Sequence, residues 1–235
     1  MSALGGPVAV SWSGGKDSML ALDRAVRDGI DVRWLLNLYD GQSRRVRFHG
    51  VRTELIGLQA ERLGIELVQK ATTPADFEPV FVDALGALVD AGAQGIVFGN
   101  IHLADVRAWY EERTVTAGLH HVEPLWGEAP AAVVAEVLRR GYRACVTSVD
   151  LVRGSRAWVG CELDSDLAIE IAAKPDTDPA GEHGEFHTYV FDGPLFGAPI
   201  DIVVGAPHEA DGHLLIDLTS AVPSGIDAAA QPDAQ

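Results

Sequence analysis

One hexapeptide constrains this chain more than any other feature. Ser13-Gly14-Gly15-Lys16-Asp17-Ser18 stands between an apolar run and a helical repeat. Val8–Trp12 reads as a strand, and Met19, Leu22 and Val26 recur at helical spacing until Gly29 offers a stop. Adjacent glycines let a backbone turn sharply and come close to a ligand. The helix behind them opens with unpaired N–H groups and a partial positive charge. Ser13 and Ser18 add hydroxyl donors, and Lys16 adds a mobile positive charge. Phosphate repels Asp17, so its presence calls for a helix cap or a divalent cation, Mg²⁺ for instance. The parts together make a site for pyrophosphate with a metal ion. They do not make a Walker A loop, because Val10 and Asp17 occupy the places where that pattern needs Gly and Ser or Thr.

The periodicity downstream repeats the same unit. Val32–Leu38 is a second apolar run, Ile56, Ala60 and Leu63 mark a helix closed by Gly64, and Ile65–Val68 reads as a third strand. Phe77, Phe81, Leu85 and Leu88 form a helical stripe, Gly95–Phe98 a fourth strand, Leu103–Thr116 a helix, and His120–Pro124 a short strand. Apolar runs without alternation suit strands covered on both faces. The expected fold is α/β, a doubly wound, mostly parallel, Rossmann-like sheet. The pattern changes after Pro124. Val134, Val137 and Leu138 suggest one more helix, Ala144–Val149 a strand, and Leu167 with Ile171 a short helix. Phe186–Phe191 is a further strand, and Ile200, Ile202 and Val204 alternate, as do Leu214, Ile216 and Leu218. Asp211-Gly212 between them signals a hairpin. This predicts a nucleotide domain over 1–126, a smaller C-terminal α+β domain over 127–221, and a disordered tail over 222–235.

Charge narrows the partners. The formal net charge is −16, with 18 Lys and Arg against 34 Asp and Glu. Nucleic acids are bound by neutralising phosphates with basic side chains, so they are a poor partner here, whatever patch Arg44, Arg45 and Arg47 make. A nucleotide escapes this objection, because backbone N–H groups hold phosphate without a basic surface. No run spans a bilayer, and Met1–Pro7 lacks the layout of a signal peptide, so a cytoplasmic protein is expected. Cys145 and Cys161 lack metal-ligand spacing and read as small core residues.

Ser13–Ser18 resembles the pyrophosphate loop of the N-type ATP pyrophosphatases, which cleave ATP between the α and β phosphates and adenylate an oxygen of the substrate. Further segments narrow the resemblance. Phe48-His49-Gly50, Gly99-Asn100-Ile101 and Glu123-Pro124-Leu125-Trp126-Gly127 are followed by Gly181-Glu182-His183-Gly184-Glu185-Phe186-His187-Thr188 and Asp192-Gly193-Pro194-Leu195-Phe196. This set resembles the diphthine–ammonia ligase (diphthamide synthase) family from about Val8 to Leu218. Ala180 and His183 stand where that family often has Cys and Asn, and Asn100 where Asp is common.

The resemblance implies ATP-dependent amidation of a carboxylate, with ATP and Mg²⁺ as cofactors and ammonia or an amine as nitrogen donor. The acceptor is a carboxylate on a protein or a small molecule. It assigns nucleotide contacts to Ser11, Ser13, Gly14, Gly15, Lys16, Asp17, Ser18, Asn37 and Gly99, and the metal to Asp17. Adenine is expected near Asn37–Tyr39. Lys16, Glu182, Glu185 and His187 are the expected catalytic groups. Alternation would put Glu185 and His187 on one side of their strand, where they could hold ammonium and take its proton. His49, Asp105 and Glu111 are expected at the substrate, and the Trp126 and Phe196 motifs in packing. A tRNA-modifying ATP pyrophosphatase and a non-catalytic adenine-nucleotide module share the loop and are the alternatives.

Overall fold

The computed structural model describes residues 5–221, so the expected tail at 222–235 lies outside the described residues. The first half alternates strand and helix. β1 (Val8–Ser11), α1 (Lys16–Arg27), β2 (Val32–Asp40), α2 (Thr53–Leu63) and β3 (Glu66–Thr72) come first. α3 (Phe77–Asp90), β4 (Gly95–Val97), α4 (Ala104–Thr116) and β5 (His120–Val122) follow. The five strands form one parallel sheet in the order β3-β2-β1-β4-β5. The chain winds outward from β1 to β3, then returns to β4 on the other side of β1. The strand order therefore reverses between β1 and β4, and in such sheets ligands sit beyond the carboxyl ends at that point.

β1 is the central strand: Val8, Ala9 and Val10 are fully buried between helices on both faces. Two apolar clusters result. One packs α1 and α2 on one face, with Met19, Leu22, Leu55 and Ile56. The other holds Phe81, Leu85, Leu88 and Phe98 on the opposite face, under α3. This two-sided burial is why the strands read as continuous apolar runs rather than alternating ones.

The second half contains α5 (Pro130–Arg139), β6 (Arg143–Asp150), a 3₁₀ turn at Arg156–Trp158 and α6 (Ser165–Ala173). After these come β7 (Phe186–Asp192), β8 (Ile202–Ala210) and β9 (His213–Ser220). Four strands make an antiparallel sheet in the order β7-β6-β9-β8. Asp211 and Gly212, both at positive φ (49° and 80°), turn the expected hairpin. The alternation read over Ile200–Val204 is not matched by burial. Ile200 lies before β8 and is buried, whereas Val203 and Val204 are 48% and 46% exposed. β8 is the sheet's edge, carries Pro207 and a register irregularity between Val204 and Pro207, and has no second layer over those residues to enforce a period of two.

The two halves share a core. The cluster that holds Val10 and Met19 continues through Val133, Val146, Tyr189 and Ile216. Buried Asp23 of α1 accepts hydrogen bonds from Arg140 (2.8 and 3.0 Å) and Tyr142 (2.9 Å). Arg24 pairs with Glu128 and Glu136. Arg45 and Arg52 both bind Asp217 on β9, and Arg44 meets Glu54, whereas Arg47 lies over the Phe77 ring with two nitrogens unpartnered.

Candidate active site

The hexapeptide forms the turn from β1 into α1. Gly14 adopts φ +80°, a conformation that side chains with a Cβ resist, and Lys16 opens the helix. Ser13 Oγ lies 3.2 Å from Ser18 Oγ, and Ser18 donates to the Gly15 carbonyl at 3.0 Å. The loop after β4 presses against the same helical turn. A Cβ on Gly99 would stand 2.8–2.9 Å from the Asp17 backbone, so only glycine permits this approach.

What completes the turn comes from the other sheet. β7 is an edge strand, and its free side docks on the loop: Val190 N–H donates to the Gly14 carbonyl at 2.9 Å. Thr188 Oγ1 accepts the Lys16 backbone N–H at 3.1 Å. Fully buried Gln59 of α2 ties the pieces together. Its Nε2 donates to the carbonyls of Gly14 (2.9 Å) and Val190 (2.7 Å), and its Oε1 accepts from the Trp12 indole (2.9 Å). Neither Thr188 nor Gln59 was among the expected site residues. A glutamine on the apolar face of α2, amid Leu55, Ile56, Leu58 and Ala60, was the available signal, since a buried amide needs partners.

These contacts leave a polar cavity of about 210 Å³. Of the residues expected at the site, Ser11, Ser13, Lys16, Asp17, Ser18, Gly99, His49, Glu182 and His187 line it, and Gly14 and Gly15 do not. Phe98, Asn100, Tyr110, Gly181, Phe186 and Thr188 also line it. Lys16, 2% exposed, donates through Nζ to Asp17 Oδ2 at 2.9 Å and to the Ala180 carbonyl, and its ammonium sits 4.9 Å from the centre of the Phe186 ring. Glu182 accepts the Ile101 N–H at 3.0 Å. A larger apolar groove of about 490 Å³ between α5 and α6, lined by Val134, Leu138, Ala168 and Ile169 among others, shares no residue with this cavity.

Two carboxylates, Asp17 and Glu182, line the cavity. Burial holds Asp17 above the usual carboxylate range against the pull of Lys16. Burial raises Glu182 as well, and the charge of Asp17 adds to it. Asp17 Oδ1 is buried with no hydrogen-bond partner. An orphaned acceptor beside a second carboxylate fits a hard divalent cation such as Mg²⁺, which binds oxygen ligands. The imidazoles are driven the other way. Burial lowers His49 to about 4. It takes His187 well below its ordinary value, and the neighbouring His49 and Lys16 reinforce this. The two rings lie 4.5 Å apart. His49 Nδ1 lies 3.1 Å from the Thr188 carbonyl, so in its neutral form it donates there and leaves Nε2 as the acceptor.

Besides Gly14 and Gly15 of the loop itself, four expected residues fall elsewhere. Glu185 is 1% exposed, and its oxygens accept the Asp178 N–H (3.0 Å) and the His183 N–H (3.1 Å), which shapes the loop before β7. His187 packs against His49 and Phe48 instead. Asn37 is fully buried beneath the loop, donating to the Trp12 carbonyl at 2.8 Å and accepting from Gln69 at 3.1 Å. Asp105 borders a neighbouring depression with Phe77 and Trp109, divided from the cavity by Tyr110, which lines both, and half-exposed Glu111 pairs with Arg107 at 3.6 Å. Trp126 packs under Arg107, 4.5 Å from its guanidinium, and Phe196 packs against the core. Cys145 is buried, its thiol raised to about 12 by burial, whereas Cys161 is exposed and not a core residue.

Two family models match the chain. Residues 6–121 match the diphthamide synthase N-terminal domain, and residues 129–222 match the diphthamide synthase C-terminal domain. The chain belongs to the diphthamide synthase family. No curated protein matches the sequence. Among solved structures, a predicted subunit of tRNA methyltransferase from Methanocaldococcus jannaschii aligns at 16% identity and a TM-score of 0.45, over 79% of this chain and 96% of that one. A likeness at that score adds nothing to the fold described above. No helix among the described residues is long and apolar enough to cross a membrane.

Proposed function

We propose that this chain is an ATP-dependent amide ligase of the diphthine–ammonia ligase type. It adenylates a carboxylate, releases pyrophosphate and passes the acyl group to ammonia or an amine. The observation that carries the reading is one cavity lined at once by the pyrophosphate loop, the Asp17–Glu182 carboxylate pair and the neutral His187.

In the first step an oxygen of the acceptor carboxylate attacks the α phosphorus, and the bond to the β phosphate breaks. The departing pyrophosphate gains charge, which Lys16, in the cavity wall, and the N-terminus of α1 would stabilise. Asp17 and Glu182 would hold Mg²⁺, which when bound neutralises charge on the phosphates. In the second step the nitrogen attacks the acyl carbon and AMP leaves with its oxygen. Attack makes the nitrogen positively charged and far more acidic than free ammonium. A weak base such as His187, kept neutral by burial, is then enough to take the proton.

The cavity is smaller than the ~300–1,000 Å³ typical of sites that enclose a whole ligand. It suits the phosphate end of the nucleotide, with adenine reaching past it. Chromatography of the nucleotide products tests the reading. AMP and pyrophosphate are expected in equal amounts, and ADP as the main product would overturn it. His187→Ala should slow amide formation by about 10²–10⁴-fold, the usual share of general acid–base catalysis.

A further inference from the structure

Three metal-binding groups converge beside the cavity, none of them among its lining residues. His102 lies in the loop between β4 and α4, and Asp178 and His183 lie in the loop before β7. One ligand atom from each falls within 4.8 Å of the others. His102 Nε2 stands 2.5 Å from Asp178 Oδ2, and the rings of His102 and His183 are 5.4 Å apart. The carboxylate is held in place: Asp178 Oδ1 accepts the Ala180 N–H at 2.7 Å, and the Asp178 N–H is fixed by Glu185. Oδ2 is left directed at His102. His183 is exposed on its turn, so its ring is free to rotate inward.

Ligands of one zinc ion, each about 2.0–2.2 Å from it, lie about 3.3 Å from one another. The trio therefore needs only side-chain rotation to reach that spacing. Two imidazoles and one carboxylate suit borderline transition metals such as Zn²⁺ or Co²⁺, whereas Mg²⁺ and Ca²⁺ prefer all-oxygen sets. Three protein ligands leave a coordination position for water.

We propose that His102, Asp178 and His183 bind one divalent transition-metal ion at the rim of the cavity. The ion ties the loop after β4 to the loop that carries Glu182, a junction made in this structure by the His102–Asp178 contact and the hydrogen bond from Ile101 to Glu182. The site uses none of the Asp17–Glu182 oxygens and takes a different class of metal, and it lies near enough to that pair for Asp178 to act on Asp17 and His102 on Glu182 through their charges.

The test uses the full-length, tag-free chain, stripped with a chelator and titrated with Co²⁺ in the absence of nucleotide. One equivalent should bind with visible d–d absorption, Zn²⁺ should displace it, and the melting temperature should rise. His102→Ala and His183→Ala should each weaken binding by about 100-fold or more, since loss of an outer-shell partner alone costs 10–100-fold. His120→Ala and His208→Ala, at exposed positions on β5 and β8, should leave it unchanged. Because His183 lies on an exposed turn, its variant keeps the test valid if His102→Ala misfolds. Sub-stoichiometric uptake, or equal affinity in wild type and the His183 variant, would overturn the proposal. Neither result depends on whether ATP is a substrate.

Discussion

The two sheets contribute to the cavity in different ways. The parallel sheet offers it the ends of strands: β1 turns through Ser13–Gly15 into α1, and β4 brings Gly99 against the same turn. The antiparallel sheet offers a side. The free edge of β7 pairs with the loop, and the turn before β7 reaches over with the Ala180 carbonyl and Glu182. The first contribution is local in sequence and could be made by any strand-to-helix turn of this composition. The second links residues more than 160 apart, from Lys16 to Ala180 and Thr188. The loop proposed to hold phosphate thus comes from one half, and Glu182 and His187, proposed to act on metal and nucleophile, come from the other.

The contrast is sharpest at Lys16, which belongs to the first half and is gripped by the second. Lys16→Met should lower the rate of pyrophosphate release by about 10²–10³-fold, the cost of removing one preorganised electrostatic donor. Circular dichroism should show the fold retained. Turnover within threefold of wild type would mean that the loop backbone alone carries the charge of the leaving group.

Glu185 asks whether the second half supplies chemistry or scaffold. Its carboxylate holds two backbone N–H groups in a buried loop, so Glu185→Ala should destabilise the protein by about 3 kcal/mol, measured by denaturant unfolding. Glu185→Gln keeps one acceptor and should lose less. Unchanged stability with a collapsed amidation rate would instead place Glu185 at the substrate.

His49 sits where the halves touch, and its protonation tests how firmly they close. Folding holds it neutral down to about pH 4, while the unfolded chain takes up the proton near 6.5. The unfolded state therefore binds more protons between those values, and stability falls as pH drops through that window. Between pH 7.5 and pH 5 wild type should lose about 2 kcal/mol more than His49→Gln. The comparison with the variant removes the opposite trend from Asp17 and Glu182, whose raised values favour the folded state as pH falls. Parallel pH profiles for the two proteins would show that water reaches the ring.

The smallest effect is expected outside both contributions. Glu111→Gln removes a half-exposed partner of Arg107 and should change stability by less than about 0.5 kcal/mol and turnover by less than about twofold. A larger loss of turnover would extend the site along α4.

The sequence by itself determined the glycine turn of Ser13–Ser18 between strand and helix, the parallel winding and the hairpin at Asp211-Gly212. Each of these is local: a turn needs its glycines, and a strand covered on both faces needs its apolar run. It also marked Glu182 and His187, because the motif around them is dense in polar residues that no core requires. Only the tertiary structure decided the rest. It buried Asn37 and Gln59 with partners far along the chain and set Glu185 to hold its own loop. It left β8 uncovered despite its apolar alternation, and brought His102 to Asp178 and His183. Periodicity reports which face of an element is buried, but not which atoms meet there. The partner of a buried polar group is fixed by the packing of whole elements, and that information is spread over the chain.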